Sequence, residues 1–256
     1  FLNEDGSVWC ANVGWSETIT NPAPTSGNHI ALHATQKSFV GLTDTGRISN
    51  WGPITYYADG APRNGVGYYV SIKASYDSFC ALWVHEEAGI DGKIHCWGAT
   101  ASYHGGTAAS TEPRPTNDGY VSLYSNQFSY VAVNASGSIF PFGAQTKGGL
   151  IPASISPDNS LHDVVRVVSN IEAYVAVHSD GSLTCWGSWA SGGARANGDT
   201  ECPLGPNYTQ VSSSKKGFAA IDSIGAVITW GIYGTMNGLE ARRSSNEVGL
   251  TGFVRL

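Results

Sequence analysis

The sequence predicts an all-β protein: a single β-propeller domain over residues 1–256, with six blades of mostly four antiparallel strands. Three observations predict it. A hairpin pattern recurs at a fixed internal spacing, a second apolar marker precedes each copy, and almost nowhere does the 3.6-residue apolar period of an amphipathic helix compete.

In chain order the copies run from Phe39 through Gly46 to Trp51-Gly52, and from Phe79 through Gly92 to Trp97-Gly98. The third runs from Tyr130 through Gly137 to Phe142-Gly143 and the fifth from Phe218 through Gly225 to Trp230-Gly231. The fourth, residues 173–187, is the clearest. Alternating apolar residues enter Ser179-Asp180-Gly181, alternate out again and stop at Trp186-Gly187. Glycine closes such a loop because it takes the left-handed conformation without steric cost. In every copy the second aromatic falls five residues after that glycine. This fixed register marks Trp51, Trp97, Phe142, Trp186 and Trp230 as packing between blades. Leu32, Ile72, Leu123, Val167 and Val211 stand seven residues ahead of the five hairpins, each ending a short strand, and Leu256 has the same context. The repeats are therefore 40 to 51 residues long. One such unit cannot bury both its faces, but stacked radially each sheet covers the next.

The first ten residues align on the second half of a hairpin, with Gly6 as its turn glycine. Leu256 ends at the marker that would precede that hairpin. The chain is accordingly expected to be a piece of a longer protein.

These hairpins resemble the regulator of chromosome condensation repeat family, through the pattern aromatic-x-Ala-Leu/Val-x-x-Asp-Gly-x-Ile/Leu-x-Cys-Trp-Gly at residues 174–187 and 79–98. The resemblance spans nearly the whole chain and implies a β-propeller, usually of seven blades in that family. This chain departs from the pattern: its linkers are longer, and the Gly-Gln-Leu-Gly that usually follows Trp-Gly is missing. The family includes an exchange factor, a photoreceptor and secreted proteins with extra cysteines, so the resemblance implies the fold rather than one task.

Five cysteines bear on compartment. Cys80 and Cys96 lie on paired hairpin strands, as in the cysteine-containing members, and opposed residues on one face approach closely enough for a bridge. Cys185 has Val175 opposite it, which leaves Cys202 in the following linker as its expected partner. Cys10 has no assigned partner. Two glycosylation sequons begin at Asn134 and Asn207, both in turns or linkers. Cysteines and sequons together point to an oxidising setting, extracellular or at the cell surface.

A net charge of −6 argues against a nucleic-acid surface, and no apolar run is long enough to span a membrane. The seven histidines show no metal-ligand spacing, and Glu86, Glu87 and Asp91 lack the alternation of a calcium loop. No nucleophile elbow or phosphate loop appears. No enzymatic activity, metal or cofactor is expected. Aromatics after Trp-Gly offer a binding face instead: Tyr56, Tyr57, Tyr103, His104, Trp189 and Tyr233.

The expected function is a non-enzymatic extracellular interaction module, binding a protein partner or further copies of itself in a surface or filament assembly. The alternatives are a carbohydrate-binding propeller, with a glycan as ligand, and a guanine-nucleotide-exchange-type regulator.

Overall fold

The computed structural model describes residues 3–8, 24, 27–52, 67–85, 90–98, 115–198 and 200–231. Among them are five three-stranded antiparallel sheets, one for each complete repeat. The first holds β1 (His29–Ala34), β2 (Phe39–Thr43) and β3 (Ile48–Trp51), and the second β4 (Tyr68–Ala74), β5 (Ser78–His85) and β6 (Ile90–Gly98). The third is β7 (Tyr120–Ser125), β8 (Ser129–Asn134) and β9 (Ile139–Gly143). β10 (Val164–Ser169), β11 (Ala173–His178) and β12 (Leu183–Gly187) follow, then β13 (Tyr208–Ser213), β14 (Phe218–Asp222) and β15 (Val227–Trp230). Successive sheets touch through their first strands, in the order β1, β4, β7, β10, β13, which makes these the innermost strands.

Burial explains why each sheet needs its neighbours. β8 and β11 are buried at five consecutive positions, on both faces of the strand. Among the described residues the core falls into four clusters, and each joins side chains of two consecutive sheets. This is the radial stacking of a propeller.

Two expectations change. The markers do not end their strands: β1 runs past Leu32 to Ala34 and β10 past Val167 to Ser169, because the chain turns toward the middle strand only at Thr35–Ser38 and its counterparts. Nor does a fourth strand form in the third blade. Its linker, 144–163, makes a 3-10 turn at Gln145–Lys147 and one isolated bridge, Leu161 to Ile139. Gly148, in the left-handed conformation, ends that turn, its N–H donating to Gln145 O. β9 carries Pro141, which lacks the N–H an interior strand would use and belongs at an edge. The linker of the fourth blade follows the same course through Trp189–Ser191 and Gly192.

A further repeat is represented by its tip. Asn3–Ser7 form a turn closed by Gly6, and the Gly6 carbonyl accepts the His29 N–H at 3.1 Å. Gly46, Gly137 and Gly181 accept Tyr69, Val164 and Tyr208 in the same way. At Gly181 (φ +78°) a Cβ would stand 2.9 Å from the backbone nitrogen of Asn207, so the position needs glycine twice over. Cys10 and residues 232–256 lie outside the described residues.

A second chain of contacts ties the turns between first and middle strands. The Gln36 N–H donates to Tyr76 O at 2.9 Å, Tyr76 to Gln127 O at 2.9 Å, Gln127 to Ile171 O at 3.3 Å, and Ile171 to Lys215 O at 3.4 Å. Beside it, Tyr130 Oη donates to Ser78 O at 2.8 Å and Tyr174 Oη to Ser129 O at 2.7 Å, each reaching the preceding blade. Burial pushes the Tyr130 phenol up to about 12 and raises that of Tyr174 as well.

Two predictions follow from these hydroxyls. Ser38 repeats Ser78 and Ser129, but its Oγ is buried with no partner among the described residues, and Phe79 stands where Tyr130 and Tyr174 stand in later blades. Phe79→Tyr should therefore stabilise the protein by about 1 kcal/mol in urea unfolding. Because the folded-state phenols titrate above their ordinary value of 10.0, their contribution is complete below pH 10 and is lost as pH rises toward about 12. A Tyr130→Phe, Tyr174→Phe variant should show a shallower loss of stability across that window.

Candidate interaction surface

The hairpin register gives every blade two ends. At one, the turn end, first and middle strands connect and the Trp-Gly pairs finish; Ala173 faces Gly187 there. At the other, the tip end, the hairpins close and the first strands begin, with Val164 facing His178.

Of the expected contact aromatics only Trp189 is described, and it lies at the turn end. Tyr56, Tyr57, Tyr103, His104 and Tyr233 lie outside the described residues. Trp189 is half-buried in its 3-10 turn, and the Arg195 guanidinium lies 4.2 Å from its ring centroid. That stacking covers one face of the indole. The same turn is tied down on its inner side. Asn170 Nδ2 donates to Ser191 O at 2.6 Å, and Glu172 meets Lys147 Nζ at 2.8 Å and accepts from Ser191 Oγ at 3.2 Å. Burial pushes the Glu172 carboxyl up, but Lys147 and the serine hydroxyls outweigh it and hold the group below its ordinary value. Trp189 is thus part of a linked framework between the third and fourth blades.

The tip end presents a feature that sequence reasoning missed. Every first strand carries a β-bulge at one position: between His29 and Ala31, Tyr69 and Ser71, Tyr120 and Ser122, Val164 and Arg166, and Tyr208 and Gln210. A bulge inserts one unpaired residue and re-aims its side chain. Those residues are Ile30, Val70, Val121, Val165 and Thr209. The four apolar ones are 61%, 49%, 56% and 64% exposed, and Thr209 is exposed too. Since the strands that carry them are the innermost and adjoin in series, the five side chains form an arc at the tip end. The signal was available, since each stands two residues before the marker and is β-branched. Alternation from the marker would by itself assign them to the core.

Two cavities of about 500 and 530 Å³ adjoin the arc at its β10–β13 junction, and both are lined by Arg166 and Thr209. Arg166 and Gln210 follow their bulges and are exposed.

Two disulfides brace the blades. Cys80 is bonded to Cys96, its direct partner across β5 and β6, and Cys185 on β12 to Cys202 in the linker that follows. All four are buried. Asn134 sits half-buried in a tip turn, where its Oδ1 accepts the N–H groups of Ser136 at 3.1 Å and Ser138 at 2.9 Å. Asn207 is exposed in the left-handed conformation just before β13.

Three described histidines bond within the fold as follows. His29 spans Gly6 O and Ser49 Oγ, both at 3.1 Å, and His178 spans His162 O and Thr184 Oγ1, both at 2.9 Å. His95 meets Tyr69 Oη at 2.9 Å under the ring of Trp83. No group of three or more His, Cys, Asp or Glu placed to hold a metal occurs among the described residues. No helix among them is long and apolar enough to cross a membrane.

No family model and no curated protein matches the chain. Solved structures do. The ectodomain of the Physcomitrella patens receptor kinase CR4 aligns with a TM-score of 0.54 and 19% identity, over 83% of this chain and 55% of that one. Prp20p of Saccharomyces cerevisiae, the yeast RCC1, gives 0.54 and 14%, over 79% and 57%. The fold is an RCC1-like β-propeller. The ectodomain of the Arabidopsis thaliana receptor kinase ACR4 adds a TM-score of 0.51 at 17% identity, over 82% and 68%. At these identities the likeness is one of fold, and the chain spans little more than half the length of the CR4 and Prp20p chains.

Each disulfide closes a short loop of this propeller, and the second holds a linker to its blade. Replacing Cys185 and Cys202 together by serine should cost about 3 kcal/mol of stability, read as a shift in the urea midpoint.

Proposed function

We propose that this protein is a non-enzymatic protein-binding propeller of an extracellular or cell-surface setting, and that the tip-end arc is its contact surface. The observation that carries the proposal is the arc itself: four large aliphatic side chains held in water at equivalent positions of four blades. Exposed apolar side chains repeated at one end of the fold are what a binding site keeps. Rigid sheets hold the arc in place, so a partner meets a preorganised surface and little ordering entropy is lost on contact.

The compartment is supported by the two buried disulfides and by the sequons at Asn134 and Asn207, which we take to carry glycans. The structural neighbours fit a binding role: two are ectodomains of receptor kinases, and Prp20p was described with its binding to Gsp1p and histones. The aromatics Tyr56, Tyr57, Tyr103, His104, Trp189 and Tyr233 remain a second candidate contact set.

Site-specific photo-crosslinking in the native compartment tests the arc. A benzophenone side chain placed at Val70 or Val165 should give a discrete protein adduct, and one placed at Leu204, 83% exposed in a linker, should not. Equal labelling from all three positions, or none from the first two, would remove the arc from the function.

A further inference from the structure

We infer that the partner of the arc is a second copy of this chain, and that copies stack head to tail, the tip end of one on the turn end of the next. This rests on the proposed binding role of the arc and names the surface that would meet it.

Charge is sorted between the two ends. Glu4, Asp5, Asp44, Asp180 and Asp222 stand in the hairpin turns of the tip end, and Asp118 and Asp163 shortly precede β7 and β10. Asp158 joins them, 3.9 Å from His162, whose ring meets Ser138 Oγ in the third hairpin turn at 2.9 Å. Against these acids the tip end sets Arg47, Lys93 and Arg166. The turn end reverses the balance. Lys37, Lys215 and Lys216 stand in turns between first and middle strands, and Lys73 one residue before the end of β4. Lys147 and Arg195 belong to the linkers that leave the Trp-Gly pairs, at Lys147 beside Phe128 and at Arg195 over Trp189. The acids of this end are Asp77, Glu172 and Glu201. Among the described residues the tip end is thus negative by five charges and the turn end positive by three.

The tip acids are fixed as anions. Ser7 and Ser182 donate to Asp5 and Asp180 within their own turns and hold both carboxyls below their ordinary value. Two tip ends therefore repel each other, whereas a tip end and a turn end attract. Complementary potentials of this kind select partners and orient their encounter.

The same five strands carry both surfaces. Ile30, Val70, Val121 and Val165 stand near the starts of β1, β4, β7 and β10, and the turns at Gln36, Tyr76, Gln127, Ile171 and Lys215 leave the far ends of the innermost strands. Successive innermost strands approach within 8 Å, Cα to Cα. One ring of strands thereby sets the blade-to-blade spacing at both ends. A copy displaced along the ring axis lays its arc on these turns, blade for blade. The turns offer apolar partners in Tyr76, Phe128 and Ile171, each half-buried, and exposed cations in Lys215 and Lys216. A glycan on Asn207 would stand at blade five, away from Ile30, Val70 and Val121 on the first three blades. Such a contact joins two different patches, so each added copy leaves one of each patch free and the stack can grow.

Sedimentation velocity on the full chain tests this with two variants at exposed positions. Val70→Lys with Val165→Lys puts cations into the arc and should block the tip end. Lys215→Glu with Lys216→Glu reverses the fifth turn and should block the turn end. Thermal midpoints equal to that of the unaltered chain show that both are folded. The unaltered chain should form species that lengthen with concentration, and raising salt from about 0.05 to about 0.5 M should shorten them. Each variant alone should self-associate about tenfold more weakly or worse. An equimolar mixture of the two should form a one-to-one dimer and nothing larger, because one intact tip end then meets one intact turn end.

A mixture that stays monomeric would overturn the head-to-tail contact, and so would a dimer formed by either variant alone. Stacks indifferent to salt would overturn the charge argument. An unaltered chain that remains monomeric at about 1 mM would overturn the second copy as partner. Crosslinking at Val70 and Val165 then separates the two readings: an adduct with a different protein keeps the arc as a contact surface, and no adduct removes it.

Discussion

At the turn end of each sheet an aromatic residue that opens the middle strand stacks on the aromatic that closes the hairpin. The five pairs are Phe39–Trp51, Phe79–Trp97, Tyr130–Phe142, Tyr174–Trp186 and Phe218–Trp230, with ring centroids 5.3 to 5.8 Å apart. Each stack lies within one blade, and in blades two, four and five its polar edge reaches the blade before. Trp186 Nε1 donates to Gly148 O at 3.0 Å and Trp230 Nε1 to Gly192 O at 3.1 Å, the two carbonyls that end the 3-10 turns. Trp97 uses Asn50 Oδ1 at 3.0 Å. Buried indoles need such partners, since an unmade bond leaves the full desolvation cost of the N–H. One residue type thus fixes the hairpin register and orients the neighbouring linker.

The rest of the assembly builds on that anchor. With turn ends registered, the tip glycines of one blade lie against the first strand of the next, and the turn N–H groups run in series from Gln36 to Lys215. Backbone bonds alone would permit sliding. The aromatic stacks and the tyrosine hydroxyls that reach preceding serines do not, because each side chain fits one position. Blades three and four show the polar version of the contact, with Tyr130 on Ser78 and Tyr174 on Ser129. Blade five replaces both partners at once, pairing Phe218 with Ala173. Among the described residues only the Ser38 and Phe79 pair is mismatched.

Rigidity at the turn end leaves the tip end free to vary. Bulges are tolerated there because the ladder has already been registered by the stacks, and they turn a β-branched residue outward on each innermost strand. A surface displayed in this way owes its shape to the ring of sheets rather than to any single loop. Changing Val165 changes the contact without disturbing the core, since the neighbouring Val164 and Val167 carry the packing.

Much of this was legible in the sequence. The repeat, the hairpins, the glycine at each tip and the packing role of the aromatics follow from spacing, because side-chain period and turn stereochemistry are local. The pairing of Cys80 with Cys96 was legible for the same reason, being a register statement within one hairpin. The strand ends, the absence of a fourth strand in the third blade and the exposure of Ile30, Val70, Val121 and Val165 were not. A bulge depends on how two strands accommodate one extra residue, and alternation assigns that residue to the core. Whether an apolar side chain on an inner strand meets a neighbour or water depends on the radial placement of five sheets. Sequence alone determined the repeating unit; the tertiary structure decided which of its apolar residues face solvent, because burial is a property of what stands opposite.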